Sequence, residues 1–414
     1  MSPEFHIAGK TTGQLTTTAL KGEVDMPETW DAIIIGAGVA GASIAYHLSL
    51  RGLKPLLIEA EHVAAGATGR SSGLVRMHYD VEEEARLAWA SFAYFSRWAE
   101  RVGGQCGFTR TGFLQIVPPE HNESLRANVA MHQRIGIPTK VLTAEEVRDL
   151  VPSFSTEDFE LAAYEPESGY ADPAATTASL VEAARGLGTR LIQGCKVVGI
   201  RIHGGRVIGV NSNLGEHDAP VVVNSAGPWA GEVARLAGVS LPLDTWTHDV
   251  MLVRRPPLVA SHPAVIDDVL TMYFRVETGG LTLLALEDCN RFGDPPGRPL
   301  EGVSQGFVER AIERICRRIP GMEAATVHST YSGRDGLSPD QHPMLGPSGP
   351  QGFYLACGFS GTGFKLGPAV GTCMAELILD GRASTVDISI FSPDRFAQGR
   401  TIQSDHPYGP IWTR

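Results

Sequence analysis

The sequence predicts an α/β fold organised on a parallel sheet. Ala32-Ile33-Ile34-Ile35 is a continuous apolar run, the pattern of a strand covered on both faces. The glycine-rich turn Gly36-Ala37-Gly38-Val39-Ala40-Gly41 follows at once, and a helix is expected over residues 38–51. Its Ile44, Ala45 and Leu48 share one face, and Gly52 closes it. A second apolar run, Pro55 to Ile58, ends in an acid, Glu59.

Each part of that order has a physical task in holding a dinucleotide. Gly36 permits the tight turn, Gly38 lets the backbone approach a pyrophosphate, and Gly41 lets helix and strand pack closely. Val39 and Ala40 present backbone N–H groups at the helix N-terminus, where the dipole favours a diphosphate. Glu59, with Ala60 beside it, stands where a carboxylate accepts from ribose hydroxyls and repels the extra phosphate of NADP. Strand, glycines, helix, strand and acid together predict a Rossmann-like unit that binds an ADP moiety.

The chain has 414 residues, enough for two domains or one large composite. It is 43% hydrophobic and 20% charged, ordinary for a globular protein. Lys+Arg 35 against Asp+Glu 46 gives a net charge of −11, which argues against a nucleic-acid or anionic-membrane surface. Six cysteines are scattered without CxxC or Cys/His spacing, so reduced thiols in a cytoplasmic protein are expected, with no metal site. No apolar stretch reaches the ~18 residues of a membrane span. Residues 1–28 are polar and Thr-rich and are expected to form a flexible arm.

Three later segments favour FAD over NAD. Gly66-Ala67-Thr68-Gly69-Arg70-Ser71-Ser72-Gly73, followed by Leu74, offers small residues and hydroxyls beside a pyrophosphate and under a ring system, with Arg70 as a counter-charge. Val221-Val222-Val223-Asn224-Ser225-Ala226-Gly227-Pro228-Trp229 is a buried strand running into a Gly-Pro turn. Gly358-Phe359-Ser360-Gly361-Thr362-Gly363-Phe364-Lys365-Leu366-Gly367-Pro368 leads into a helix ending near Asp380-Gly381, with Pro368 expected in its first turn. Val370, Met374, Leu377 and Ile378 form its expected buried face. Its N-terminus, aimed at a flavin pyrimidine edge, would stabilise the negative charge of reduced flavin.

These residues carry a resemblance. From about residue 31 to residue 396 the chain resembles the D-amino-acid oxidase-type flavoenzyme superfamily, in its sarcosine oxidase and glycine oxidase branch. It is most similar to proteins related to the beta subunit of heterotetrameric sarcosine oxidase. Besides the segments above, Ser338-Pro339-Asp340 with Pro343 and Gly346, and Ser392-Pro393-Asp394-Arg395-Phe396, support it. The resemblance implies a discontinuous Rossmann-like FAD-binding domain, residues 29–108, 171–240 and 325–396. An inserted α+β substrate domain on a mostly antiparallel sheet takes residues 109–170 and 241–324, and residues 397–414 form a tail. It also implies a backbone contact to adenine at Val197.

Local patterns fit that division. Asp80 reads as an N-cap, opening a helix that reaches Glu100. A strand is expected from Thr109 to Val117, a short helix from Thr143, and a further helix from Asp172 to Arg185. A hairpin is expected from Lys196 to Asn211, and strands near residues 248–254, 271–276 and 281–285.

For the reaction, the resemblance implies hydride transfer from the carbon beside nitrogen to flavin, giving an imine that water hydrolyses. Arg76 and Lys365 match the positions that hold a substrate carboxylate in sarcosine oxidases, with a surface-charge reading competing for each. His78 and Tyr79 stand close enough to shape the pocket, as a buried hydrogen-bonded pair or as an acid–base pair. His248, Tyr273 and Arg275 lie on strands that could roof the pocket, with packing as the expected role of each.

The pattern departs from the family at three positions. Thr282 stands where sarcosine oxidases carry an oxygen-activating lysine. Ser332-Gly333-Arg334-Asp335 has no cysteine where the monomeric enzymes attach FAD, so non-covalent FAD is expected. Asp335 stands near a carboxylate-binding arginine of glycine oxidases, and a one-residue slip would bring Arg334 there. An acid at Asp335 suits a cationic amine, and a structural ion pair is the alternative. The expected partners are an amine or amino-acid substrate, with oxygen as acceptor. An electron-accepting partner, a flavin-binding subunit of a larger complex, and a homo-oligomer remain open.

Overall fold

The computed structural model describes residues 29–408. The arm expected over residues 1–28 and the last six residues, 409–414, lie outside the described residues. Six strands form the nucleotide-side sheet, in the order Met344–Pro347, Phe353–Cys357, Val222–Asn224, Ala32–Ile35, Pro55–Ile58 and Arg190–Ile192. All pairs are parallel except the first. The apolar run at the front is explained by its neighbours. Ala32 and Ile34 enter one hydrophobic cluster and Ile33 and Ile35 another, so both faces are covered.

The helix Val39–Leu50 packs on this sheet and against the long helix Gly363–Asp380. A side chain at Gly371 would meet Ser43 Oγ at 2.1 Å, so only glycine lets the two backbones cross this closely. The long helix starts earlier than its proline suggests. Pro368 lies inside it rather than in its first turn. Ser91 repairs the break: its hydroxyl accepts the Ala369 N–H at 3.0 Å and donates to the Leu366 carbonyl at 3.0 Å.

A second sheet of nine strands is mostly antiparallel. Next to one edge runs the long strand Asp244–Arg254, bonded to Thr326–Leu337 and Leu281–Leu286. The parallel pair Ala264–Asp267 with Phe113–Ile116 continues it. The helix Gln305–Arg318 covers one face through Phe307, Ala311 and Ile315. Its last residue, Arg318, is fully buried and paired with Asp267 at 2.7 Å and Asp158 at 2.8 Å.

Three local expectations are corrected. Val81, not Asp80, is the N-cap, and the helix Glu82–Phe95 stops before a separate turn, Trp98–Arg101. Ser96 Oγ bonds back to the Phe92 carbonyl and Arg97 leaves helical geometry, which ends the run. The strand expected from Thr109 to Val117 divides at Gly112, whose φ is +77°. Thr109–Arg110 pairs with Gly169–Tyr170, and Phe113–Ile116 joins the large sheet. The hairpin Val197–His203 with Arg206–Ser212 gains a third strand, Gly215–Asp218.

Candidate functional site

A cavity of about 1730 Å³ runs between the two sheets. It exceeds the roughly 300–1,000 Å³ of an ordinary small-ligand pocket and suits a dinucleotide together with a substrate. Among the residues expected at a cofactor, all but Gly41 and Gly73 border it.

Those two glycines serve packing. A side chain at Gly41 would strike the Gly36 carbonyl at 2.0 Å, and one at Gly73 the Ala171 carbonyl at 2.2 Å. Gly36 turns with φ +102°, and a side chain there would meet the Ser225 carbonyl at 2.6 Å. Gly38 is the N-cap of the first helix without a side-chain cap of its own, and Thr68 Oγ1 accepts the Val39 N–H at 3.2 Å instead. Glu59 accepts the Ala37 N–H at 2.7 Å and the Glu61 N–H at 2.9 Å, holding its carboxylate beside the glycine turn. This bare-backbone cradle at a helix start, next to an acid, fits the ADP half of FAD.

The remaining segments continue along the cavity. Ala60 and Val197 stand at the Glu59 end, and Ala226, Gly227 and Trp229 follow from the strand Val222–Asn224. Ala67, Ser71, Ser72 and Leu74 carry the wall onward, and the Trp229 ring packs against Gly66. At the far end Gly361, Thr362, Gly363 and Phe364 present the start of the long helix. Ser360, just before it, holds φ +51° without being glycine, fixed by bonds to Gly336 O and Ser338 N–H.

Two arginines differ from expectation. The Arg70 guanidinium bonds the Ala65 and Gly66 carbonyls of its own loop, so it braces the loop rather than offering a free counter-charge. Arg334 bonds Thr247 Oγ1 and the carbonyls of Pro295, Pro296 and Arg298. It clamps a loop and does not reach for a substrate. Gly333 lies against Arg70, where any side chain would press on its Cβ at 3.1 Å.

Arg76, Tyr79 and Lys365 come together at the end of the cavity where the long helix starts. The Arg76 guanidinium lies 4.3 Å over the Tyr79 ring, and Lys365 Nζ is 6.0 Å from the same ring. Neither cation makes an ion pair among the described residues, and Arg76 Nε is buried without a partner. Lys365 has only a 3.4 Å bond to the Gly361 carbonyl. Burial, followed by the Arg76 charge, pushes its ammonium down to about 7. Burial raises the Tyr79 phenol and lowers the His78 imidazole, so both are neutral near pH 7.

Asp335 accepts the Gly336 and Gly361 N–H groups, both at 2.8 Å, tying its strand to the start of the long helix. Burial raises its pKa. It acts as a tether that also borders the cavity, and it makes no ion pair among the described residues. Thr282 is fully buried, 3.3 Å from His262 Nε2, and does not border the cavity. The match to an oxygen-activating position therefore has no counterpart in the cavity wall. His248 and Tyr273 do border it, whereas Arg275 packs on Tyr170 and binds Ser72 O.

Two acids, one in the wall and one buried behind it, escaped sequence reading. Glu84 pairs with His342 at 2.8 Å, and its other oxygen is unpartnered. Glu165, fully buried behind Arg76, accepts the Met77 N–H at 2.9 Å and the Ser168 hydroxyl at 2.6 Å. Glu84 stands in the first turn of the helix Glu82–Phe95, and Glu165 ends the strand Leu161–Glu165. No local pattern separates either from a solvated charge.

Comparison with known proteins agrees with this arrangement. The chain is 29% identical to mitochondrial sarcosine dehydrogenase of Homo sapiens over 409 residues, covering 95% of this chain and 44% of that protein. It is 25% identical to mitochondrial dimethylglycine dehydrogenase of Rattus norvegicus, covering 91% and 46%. The chain thus spans less than half the length of these relatives. Among solved structures, L-proline dehydrogenase from P. horikoshii superposes with a TM-score of 0.85 at 26% identity, covering 91% of this chain and all of that one. Among the described residues, no helix is long and apolar enough to cross a membrane. The profile of the FAD dependent oxidoreductase (DAO) family matches residues 31–377, and with the dinucleotide cradle and its flanking walls in place, the chain belongs to that family and has FAD as its cofactor.

Proposed function

We propose that the protein oxidises the C–N bond of a carboxylate-bearing amine, an amino acid or an N-methyl amino acid, to an imine that water hydrolyses. The observation that carries this reading is the pair of unpaired cations, Arg76 and Lys365, at one end of the cofactor cavity. FAD, when bound, supplies the two-electron acceptor. Arg76 offers a planar fork for the carboxylate, stacked on Tyr79 so that its orientation is fixed before substrate arrives. Lys365 adds a second cation from the first turn of the long helix. His78 and Tyr79, held neutral, do not compete for the carboxylate.

Likeness to proteins named sarcosine, dimethylglycine and L-proline dehydrogenase supports the substrate class. Purified holoprotein should be yellow, and one of sarcosine, dimethylglycine, glycine or L-proline should bleach it without oxygen. If none of a broad amine panel does so, the reading is wrong. FAD is held non-covalently in this proposal, since among the described residues the cavity wall carries one cysteine, Cys195, at the Glu59 end. Acid precipitation should leave the yellow colour in the supernatant.

Oxygen is the acceptor in this reading, with hydrogen peroxide formed at the turnover rate. A second reading, transfer of electrons to a partner, is favoured by the dehydrogenase names of the relatives. Turnover that needs an artificial acceptor and yields no peroxide would select it.

A further inference from the structure

We propose that residues 402–408 form a wall of the substrate chamber, and that Tyr408 is a positioning residue that holds His78 and limits substrate size. This rests on the carboxylate-bearing amine reading above and names what bounds that substrate. Ile402, Gln403, Ser404, Pro407 and Tyr408 all border the cavity. The segment is fastened at four points. Ile402 N–H donates to Asp340 at 3.0 Å, and Asp340 itself is gripped by Arg395 through two bonds of 2.8 Å. Ser404 Oγ donates to the Asp80 carbonyl at 2.8 Å. Asn128 donates to the His406 carbonyl at 2.8 Å, and the Tyr408 hydroxyl meets His78 Nε2 at 2.7 Å.

Those partners lie on both sides of the cavity. Asp340 and Asp80 flank the nucleotide-side unit, whereas Asn128 belongs to the helix Asn122–Ile135 that packs on the second sheet. Tyr408 is 8% exposed and joins an apolar cluster with Val117, Leu125 and Val129. Its ring stacks on His78 at 5.7 Å, and the His132 ring closes the other side at 4.6 Å. His78 Nδ1 is buried without a partner, so the Tyr408 hydroxyl is the hydrogen bond that fixes this ring. His78 and Arg76 share one short stretch of chain, and Arg76 leans on Tyr79. A loosened His78 therefore moves the fork that meets the substrate carboxylate.

The test titrates holoprotein with carboxylates of rising size, acetate, benzoate and indole-2-carboxylate, reading the flavin absorbance, so it needs no turnover. Deleting residues 401–414 should favour indole-2-carboxylate over acetate at least tenfold more than wild type does, and Tyr408→Ala at least threefold more. Tyr408→Phe keeps the ring, so the size ratio should stay while binding of every carboxylate weakens about fivefold. With an amine substrate, Tyr408→Phe should raise KM far more than it lowers kcat.

If the deletion does not fold, Tyr408→Ala carries the size test. Wild-type ratios in Tyr408→Ala, or unweakened binding in Tyr408→Phe, would overturn the proposal. A wild-type flavin that answers carboxylates but is reduced by no amine would instead sink the proposed function and leave the wall standing.

Discussion

Arg76 shows how one side chain is prepared for a ligand by what it lacks. Its guanidinium has an aromatic platform in Tyr79 and a buried Nε without an acceptor, a combination that is costly unless a substrate completes it. Hydrogen bonds to charged groups are each worth about 1.5–3 kcal/mol, so losing two should raise the KM of a carboxylate substrate at least ~100-fold in Arg76→Ala. Arg76→Lys should recover only part, because an ammonium lacks the fork. Steady-state kinetics against an amine without a carboxylate is the control and should change little.

Lys365 adds a pH signature. Its ammonium is pushed down to about 7, so it loses charge as pH rises through that value and its grip on a carboxylate weakens. KM should climb between about pH 6 and about pH 9, and Lys365→Met should flatten that climb. The His342 imidazole is shifted the other way from Lys365, because Glu84 raises its pKa against the effect of burial. Its contribution to stability is complete below the ordinary imidazole value and is lost as pH rises through the raised one. Glu84→Gln should erase that segment of the stability profile in urea unfolding.

At the scale of elements, helix ends and breaks were the least legible feature. The sequence placed the glycine turn, both front strands and the long helix. It did not show that Pro368 sits inside that helix, because the residue that heals the break, Ser91, comes from another helix far away in the chain. Ser91→Ala strands the Ala369 N–H and the Leu366 carbonyl together. The cost should be about 1–3 kcal/mol, read as a lower urea midpoint with an unchanged slope. The helix after Asp80 was misread for a related reason: Ser96 competes for a backbone carbonyl, and pattern alone does not reveal which serines do so.

At the scale of the molecule, the site lies where two sheets face each other, so its shape depends on how firmly the second sheet is built. The strand Ala264–Asp267 brings Ile266 to the cavity, with Asp268 just beyond its end, and Asp267 anchors it through the buried Arg318. Asp267→Asn would leave Arg318 with Asp158 as its one acidic partner, and breaking such a buried pair costs about 3–5 kcal/mol. Urea unfolding should register that loss. Flavin content should survive in the folded fraction, since the dinucleotide cradle belongs to the other sheet.

The sequence by itself determined the parallel sheet and the dinucleotide cradle, because each is written in local order: an apolar run and spaced glycines. Arg76 and Lys365 became candidates only through the resemblance to a known family. Only the tertiary structure decided which charges are free. Arg70 and Arg334 read like ligands for anions, yet neighbouring carbonyls hold both. Glu84, Glu165 and Tyr408 read like surface or tail, yet they enclose the chamber or stand directly behind its wall. A side chain's availability depends on partners distant in the chain. Local spacing carries no record of them.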